Sequence, residues 1–112
     1  MQKLLKAFLP MVKRMPKNVH ETTRTILYQN NDISVVSFQW KKGMGLPEHD
    51  HYGKCLFQVV DGKLLETRGS KETLMKINDI GKINKGQLHK IDPLEDSKSI
   101  HVYSPPPPCL KK

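Results

Sequence analysis

Two histidines flank an acidic residue in the segment His49-Asp50-His51. On a strand, residues two apart point to the same side, so both imidazoles would face one way and Asp50 the other. Two imidazoles on one face can bind a divalent metal, although such pairs also occur on ordinary exposed strands. A metal site needs a third ligand, and the best candidate is His89, in the turn-to-strand segment 86–89.

A second polar constellation lies near the carboxyl end, in Ser99-Ile100-His101-Val102-Tyr103. The alternation places Ser99, His101 and Tyr103 on one face of a strand and the apolar pair on the other. This polar face either meets solvent or forms a hydrogen-bonded relay, in which Ser99 orients His101 and His101 bonds to the Tyr103 hydroxyl.

The elements that must position these residues are short strands. Runs of β-branched and aromatic residues, separated by turn signals about every 8 to 12 residues, predict an all-β sandwich or barrel. Residues 41–47 are predicted to form a loop because they hold two glycines and a proline, and the proline run 105–108 is predicted to extend over the surface. The predicted strands span residues 25–29, 33–40, 55–60, 63–67, 73–77, 80–83, 88–91 and 99–103.

The first 15 residues carry apolar side chains at helical spacing with lysines between them. Pro10 interrupts this pattern and Pro16 ends it. The segment predicts a short amphipathic helix that packs on the domain, while its basic, acid-free character also fits a mitochondrial presequence. The content of one arginine and no serine disfavours that second interpretation. We expect a helical segment over 1–18, one domain over 19–112, and a cytoplasmic location with Cys55 and Cys109 reduced.

The chain has 112 residues, enough for one domain, and a formal charge of +8 from 19 basic and 11 acidic residues. Five of the bases lie in the acid-free first 20 residues, which leaves 14 bases against 11 acids, or +3, for the rest. This uneven distribution does not favour a nucleic-acid partner. No run reaches the roughly 18 apolar residues of a membrane span, and two cysteines exclude a disulfide-rich scaffold.

The spacing around the histidine pair resembles the first motif of the cupin family: glycine, five residues, His-x-His, three or four residues, glutamate, six residues, glycine. Gly43, His49, His51 and Gly62 match this motif, and Cys55 stands at the glutamate position. The resemblance implies a double-stranded β-helix, or jelly-roll, barrel with a short N-terminal helix and a metal in the mouth of the barrel.

Gly86 and His89 match the second motif of the same family, in which two residues separate a glycine from a histidine. Asn84 and Pro93 stand where that motif usually has proline and asparagine. Three neutral imidazole ligands would not reduce the +2 charge of an iron(II) ion. They would also leave coordination positions open on one side of it. Such a site favours an anionic ligand such as a thiolate.

Three segments together resemble cysteine dioxygenase, the thiol-oxidising branch of the cupins: HDHYGKCLFQVVDGKLLET, INKGQLHKI and SIHVYSPPPPC. The similarity covers roughly residues 22 to 109. The resemblance implies that iron(II) is bound by His49, His51 and His89. It also implies that a strand carrying Ser99, His101 and Tyr103 approaches the iron.

The same resemblance implies roles for three further residues. Cys55 would form a thioether with Tyr103. Trp40 matches the tryptophan before the glycine-rich loop, where it would be both a core residue and a wall of the substrate-binding pocket. Arg24, which follows Thr23, would bind the substrate carboxylate through its planar guanidinium. This alignment of Arg24 requires the turn at Asn30 to be one residue shorter than in the family.

These features predict an iron(II)-dependent thiol dioxygenase that converts a small thiol, first of all L-cysteine, to its sulfinic acid with O2. We expect a monomer or small homo-oligomer whose partners include neither nucleic acid nor membrane. Within the class, 3-mercaptopropionate or an N-terminal cysteine on a peptide are alternative substrates, although the peptide has no free carboxylate next to its cysteine. A non-catalytic metal-binding cupin is the alternative from another class.

Overall fold

The structure is a computed structural model and describes residues 1–17 and 20–107. Within these ranges no helix is long and apolar enough to cross a membrane. The boundary predicted between residues 18 and 19 lies outside the described residues, as do Pro108 and Cys109. The elements are α1 (Gln2–Arg14), β1 (Thr23–Gln29), β2 (Ser34–Trp40), β3 (Leu46–His49), β4 (Lys54–Asp61), β5 (Leu64–Arg68), β6 (Lys71–Met75), β7 (Ile80–Ile83), β8 (His89–Pro93) and β9 (Ser97–Ser104).

The strands form two antiparallel sheets that pack against each other. One sheet has the order β1-β2-β9-β4-β7 and the other β3-β8-β5-β6. Their facing sides share one apolar core, to which β2 contributes Trp40, β4 contributes Phe57, β5 contributes Leu64 and β8 contributes Ile91. This architecture confirms the predicted jelly-roll of all-β type with a short N-terminal helix.

Alternation along the central strands separates an inner face from an outer one. On β9, Ser99 and His101 point to the inner core, whereas Ile100 and Val102 belong to a second apolar cluster beneath the helix. Because side chains alternate with a period of two, the polar set on β9 must face the barrel interior when the apolar pair faces the helix. The inner polar face is therefore buried, and the solvent-facing alternative for this strand is wrong.

Helix α1 covers the outer face of the five-stranded sheet. Leu5 and Val12 are fully buried there, and the helix runs unbroken through Pro10, which lies on its exposed side. Burial of apolar residues on both sides of the proline compensates for the missing backbone donor. The Lys98 ammonium donates to the carbonyls of Lys13 and Met15 at 2.8 Å each, which satisfies acceptors at the helix end.

Most strand boundaries differ by one or two residues from the predicted ones, and two features of the strands that were not predicted have identifiable reasons. The segment predicted as a loop over 41–47 becomes strand at Leu46, because that residue pairs with Ile91 on β8. The predicted turn after β5 is tighter than expected: Arg68 pairs directly with Lys71, and Gly69 adopts a left-handed φ of 59°. Strand β6 therefore begins at Lys71 rather than at residue 73.

Candidate metal centre and adjoining cavity

Three histidines meet at one end of the barrel. His49 is the last residue of β3, His51 follows it in the connecting loop, and His89 begins β8 directly opposite His49. One ligand atom from each lies within 4.8 Å of the others. The ring centroids are 4.6 to 5.0 Å apart. The structure therefore brings together the three residues that the sequence predicted as metal ligands.

The hydrogen bonds of two of these rings fix which nitrogen carries the proton. His49 Nδ1 lies 2.8 Å from the carbonyl oxygen of Pro47, and His89 Nδ1 lies 2.9 Å from Glu66 Oε2. A carbonyl and a carboxylate only accept, so both Nδ1 atoms must donate. In the neutral rings both Nε2 atoms then present lone pairs, and these atoms are 3.1 Å apart. Two such lone pairs repel unless a proton or a cation lies between them.

The third ring is also prepared to act as a ligand. His51 is only 9% exposed, and its Nδ1 has no hydrogen-bond partner among the described residues. Burial, followed by the neighbouring His89 and His49, lowers the pKa of His51 from 6.5 to about 4. His51 is therefore neutral at physiological pH, as a metal ligand must be. The donor set fits a divalent metal that accepts imidazole nitrogens, such as iron(II).

Glu66 contacts this centre, although the sequence reasoning assigned it no role. It lies on β5, two residues after the buried Leu64, so alternation directs both side chains inward. Its Oε2 accepts hydrogen bonds from His89 and from Arg68 Nη2, the latter at 3.1 Å. Burial alone would raise the pKa of Glu66, but these hydrogen bonds outweigh it, and the net pKa lies below its ordinary value. The sequence signal that could have identified Glu66 is an acidic residue at an inward-facing position of a strand.

A buried relay lies on the inner face of β9. Trp40 Nε1 donates to Ser99 Oγ at 2.7 Å, and Ser99 Oγ lies 2.7 Å from His101 Nε2. Because the indole only donates, Ser99 Oγ accepts from it, and the same hydroxyl shares a second hydrogen bond with the His101 ring. Burial, followed by the charges of the three clustered histidines, holds the pKa of His101 well below its ordinary value. The structure therefore places Ser99 where it can orient His101, whereas a bond from His101 to the Tyr103 hydroxyl stays a prediction.

Cys55 and Tyr103 occupy opposite positions on the neighbouring strands β4 and β9. Cys55 is 1% exposed, and Tyr103 packs against the same apolar core. Burial, together with the charge of Glu66, raises the pKa of the Cys55 thiol well above its ordinary value. Cys55 is therefore a protonated thiol inside the barrel and not an exposed nucleophile.

A cavity of about 150 Å³ opens beside the histidines. His49, His51 and Tyr103 line its inner side, and Arg24 lines it from the edge strand β1. Arg24 pairs with the inward-facing Phe38, which directs both side chains to the same face of the sheet. The side chain of Arg24 is exposed at this mouth. The structure thus brings the predicted carboxylate-binding residue and the histidine cluster to the same cavity.

Of two other predicted features, one lies at this cavity and the other next to it. Pro105 and Pro107, from the predicted proline run, contribute to its wall. A small recess next to it is lined by Trp40 together with all three histidines, His101 and Tyr103. Trp40 is fully buried and stacks on Phe38, with ring centroids 4.9 Å apart. Trp40 is therefore a core residue and a wall of the recess, and it does not line the larger cavity.

Comparison with known proteins identifies the fold. No protein-family model matches the chain, and no curated protein sequence matches it. Solved structures do match. A cupin superfamily protein from Desulfitobacterium hafniense has 15% identity over 85% of this chain and 87% of its own, with a TM-score of 0.78. An RmlC-like cupin from Shewanella frigidimarina has 17% identity over 85% and 86%, with a TM-score of 0.77.

A third similar structure is KdgF from a Halomonas species, with 20% identity over 82% of this chain and 87% of its own and a TM-score of 0.76. At such identities the likeness concerns the fold alone. The chain therefore has the cupin fold, with a three-histidine cluster at the mouth of the barrel that could hold a metal.

Proposed function

We propose that this cupin-fold chain is an iron(II)-dependent dioxygenase that oxidises a small thiol, L-cysteine first of all, to its sulfinic acid. The observation that carries the proposal is the lining of one cavity by Arg24 on one side and by His49, His51 and Tyr103 on the other. A molecule with a carboxylate at one end and a metal-binding anion at the other matches this arrangement of charges.

The size of the cavity limits the substrate to a small molecule. A cavity of about 150 Å³ is comparable to one known to hold a single benzene-sized guest, and L-cysteine has about seven non-hydrogen atoms. The guanidinium of Arg24 suits a carboxylate because its planar fork can make two parallel hydrogen bonds. Imidazole binds a metal in its neutral form, so a centre with three such ligands would retain the positive charge of the metal, which attracts a thiolate.

Bound iron(II) would supply a redox-active, Lewis-acidic centre at which a thiolate and dioxygen can meet. The overall reaction, RS⁻ + O2 → RSO2⁻, adds both atoms of one dioxygen molecule to the sulfur. The sulfur is oxidised as the oxygen is reduced, so no further reductant is needed. In this proposal Arg24 holds the carboxylate and thereby orients the sulfur. The Tyr103 hydroxyl donates a hydrogen bond to the substrate as negative charge develops on its oxygen atoms.

Two other classes of thiol are alternative substrates for this site. 3-Mercaptopropionate keeps the thiol and the carboxylate but lacks the amine, so it is the alternative within the same site. A peptide with an N-terminal cysteine has an amide where Arg24 needs a carboxylate. A non-catalytic cupin that binds a metal and a small ligand is the alternative from another class, and it would use the same three-histidine cluster and cavity.

Oxygen consumption by the iron-loaded protein tests the proposal directly. Protein loaded anaerobically with iron(II) is mixed with aerated L-cysteine, 3-mercaptopropionate, cysteamine or a cysteinyl peptide, and the product is identified by mass spectrometry under ¹⁸O2. We expect fastest uptake with L-cysteine, one sulfinate per O2, and both labelled oxygens in the product. The His20→Ala variant, altered at an exposed histidine, serves as the control and should behave as the parent. No thiol-dependent uptake by iron-loaded protein would contradict the proposal.

A further inference from the structure

Glu66 is the buried carboxylate that contacts the histidine cluster. It is 5% exposed, and its Oε2 accepts the His89 Nδ1 proton at 2.9 Å. This bond directs the lone pair of His89 Nε2 towards His49 Nε2, 3.1 Å away. A histidine that binds a metal usually donates its other ring N–H to a carboxylate or carbonyl, which fixes both the tautomer and the ring orientation.

The carboxylate is itself held in place from a third strand. Arg68 Nη2 donates to Glu66 Oε2 at 3.1 Å and to the backbone carbonyl of Lys82 on β7 at 2.8 Å. Glu66 and Arg68 are two residues apart on β5 and share its inward face. The same carboxylate oxygen therefore receives two donors, one from the candidate ligand and one from an arginine tied to a neighbouring strand.

From this geometry we propose that Glu66 is a positioning residue of the metal centre, which holds His89 as its Nδ1–H tautomer and places a negative charge one hydrogen bond behind the ligand. Histidine binds a metal as a neutral imidazole, so three such ligands would bring no negative charge to the centre. A carboxylate behind His89 increases the electron donation of that ring without occupying a coordination position. The centre therefore keeps room for an incoming anion while one of its ligands is strengthened. The inference rests on the metal site of the proposed function but not on its thiol chemistry.

Metal affinity measured with cobalt(II) alone tests this inference. Kd values are obtained anaerobically by competition with a chelator and from the visible spectrum of the bound cobalt. The Glu66→Leu variant removes both the acceptor and the charge, and its Kd should rise about 10- to 100-fold. The Glu66→Gln variant keeps an oxygen that can accept from Nδ1 but loses the charge, so its Kd should lie between those of the parent and Glu66→Leu. The matched control Glu72→Gln, at an exposed position on the adjoining strand β6, should bind as the parent does.

A second readout separates positioning from general stability. In ¹⁵N NMR spectra of the metal-free protein, His89 should be the Nδ1–H tautomer in the parent and in Glu66→Gln and a tautomer mixture in Glu66→Leu. If Glu66→Leu does not fold, Glu66→Gln alone decides through its Kd. Cobalt affinity of folded Glu66→Gln equal to that of Glu72→Gln, or an Nε2–H tautomer of His89 in the parent, would overturn the inference. Because no thiol is present, failure of the dioxygenase proposal leaves this test unaffected.

Discussion

Cys55 on β4 and Tyr103 on β9 are directly opposed cross-strand partners whose side chains face the barrel interior. Directly opposed residues in an antiparallel pair have Cβ atoms about 4.5 to 5.5 Å apart. The thiol of Cys55 is buried, and the ring of Tyr103 stacks near the metal-ligand candidate His51 with ring centroids 6.3 Å apart. An oxidation at the candidate metal centre would therefore take place close to the side chains of Cys55 and Tyr103.

The first prediction is that Cys55 and Tyr103 form a thioether during aerobic turnover with iron and substrate. The bond replaces the S–H of Cys55 and a ring C–H of Tyr103, with dioxygen as the oxidant. Intact-protein mass spectrometry should show the loss of two hydrogens, and the change should resist dithiothreitol. The Cys55→Ser variant is the control and should keep its mass. An unchanged mass after many turnovers would exclude the cross-link and leave the metal site standing.

Replacing Arg24 should weaken the binding of carboxylate substrates. Loss of a charged hydrogen bond costs about 1.5 to 3 kcal/mol, so Arg24→Ala should raise the KM for L-cysteine by roughly 10- to 100-fold. Cysteamine, which lacks the carboxylate, should be a poor substrate for the parent. Arg14→Ala, which alters an exposed arginine on α1, is the matched control and should not change KM. Equal turnover of cysteamine and L-cysteine would show that Arg24 does not recognise the carboxylate.

Ser99→Ala should destabilise the fold. The change leaves the buried Trp40 Nε1 without its acceptor and His101 Nε2 without its hydrogen-bond partner. A buried polar atom that loses its partner costs about 1 to 3 kcal/mol, so the free energy of unfolding in urea should fall by at least that amount. Ser70→Ala, in the exposed turn after β5, provides the comparison. A loss below about 0.5 kcal/mol, typical of surface substitutions, would mean that the relay does not stabilise the barrel.

The metal-free protein should lose stability as the pH falls from about 6.5 towards 4. The pKa of His51 is about 4 in the folded protein, and the unfolded chain has the ordinary value of 6.5. Between pH 4 and pH 6.5 the unfolded chain therefore binds more protons than the folded protein. Stability therefore rises with pH in this window, and His51 alone accounts for about 2 to 3 kcal/mol between pH 7 and 4.5. His101, whose pKa is also lowered by burial, adds a loss of the same sign.

Urea unfolding at pH 7 and pH 4.5 measures this dependence. His51→Gln removes the titrating group, so its loss of stability on acidification should be smaller than that of the parent. His20→Gln, changed at an exposed position, should retain the parental dependence. Identical pH dependence in the parent and in His51→Gln would contradict the assigned pKa.

The histidine cluster could be predicted because the sequence signals for it come from residues close together in the chain. The spacing of His49 and His51 places two rings on one side of the chain, and His89 follows a recognisable glycine signal. The alternation over 99–103 likewise separated the Ser99 and His101 face from the Ile100 face, although only the tertiary packing showed that both faces are buried, the first inside the barrel and the second beneath α1. Local patterns thus identified the residues, while tertiary contacts decided their environment.

Other features depend on contacts between distant strands and could not be predicted in this way. Strand β3 was hidden by the glycines and the proline around it, and it exists because Leu46 pairs with Ile91 on β8. Glu66 lies in a mixed polar and apolar run with no motif of its own. Its contact with His89, 23 residues away, follows from the pairing of β5 with β8.

Anaerobic titration with iron(II) tests the central claim, that His49, His51 and His89 form one iron centre. The parent should bind one iron per chain, and each of the three alanine variants should lose most of it, because two imidazoles hold a divalent ion weakly. His20→Ala should bind iron as the parent does. Loss of iron from His49→Ala, His51→Ala and His89→Ala, with His20→Ala unaffected, is the predicted result. Full iron occupancy in folded His89→Ala would contradict the account.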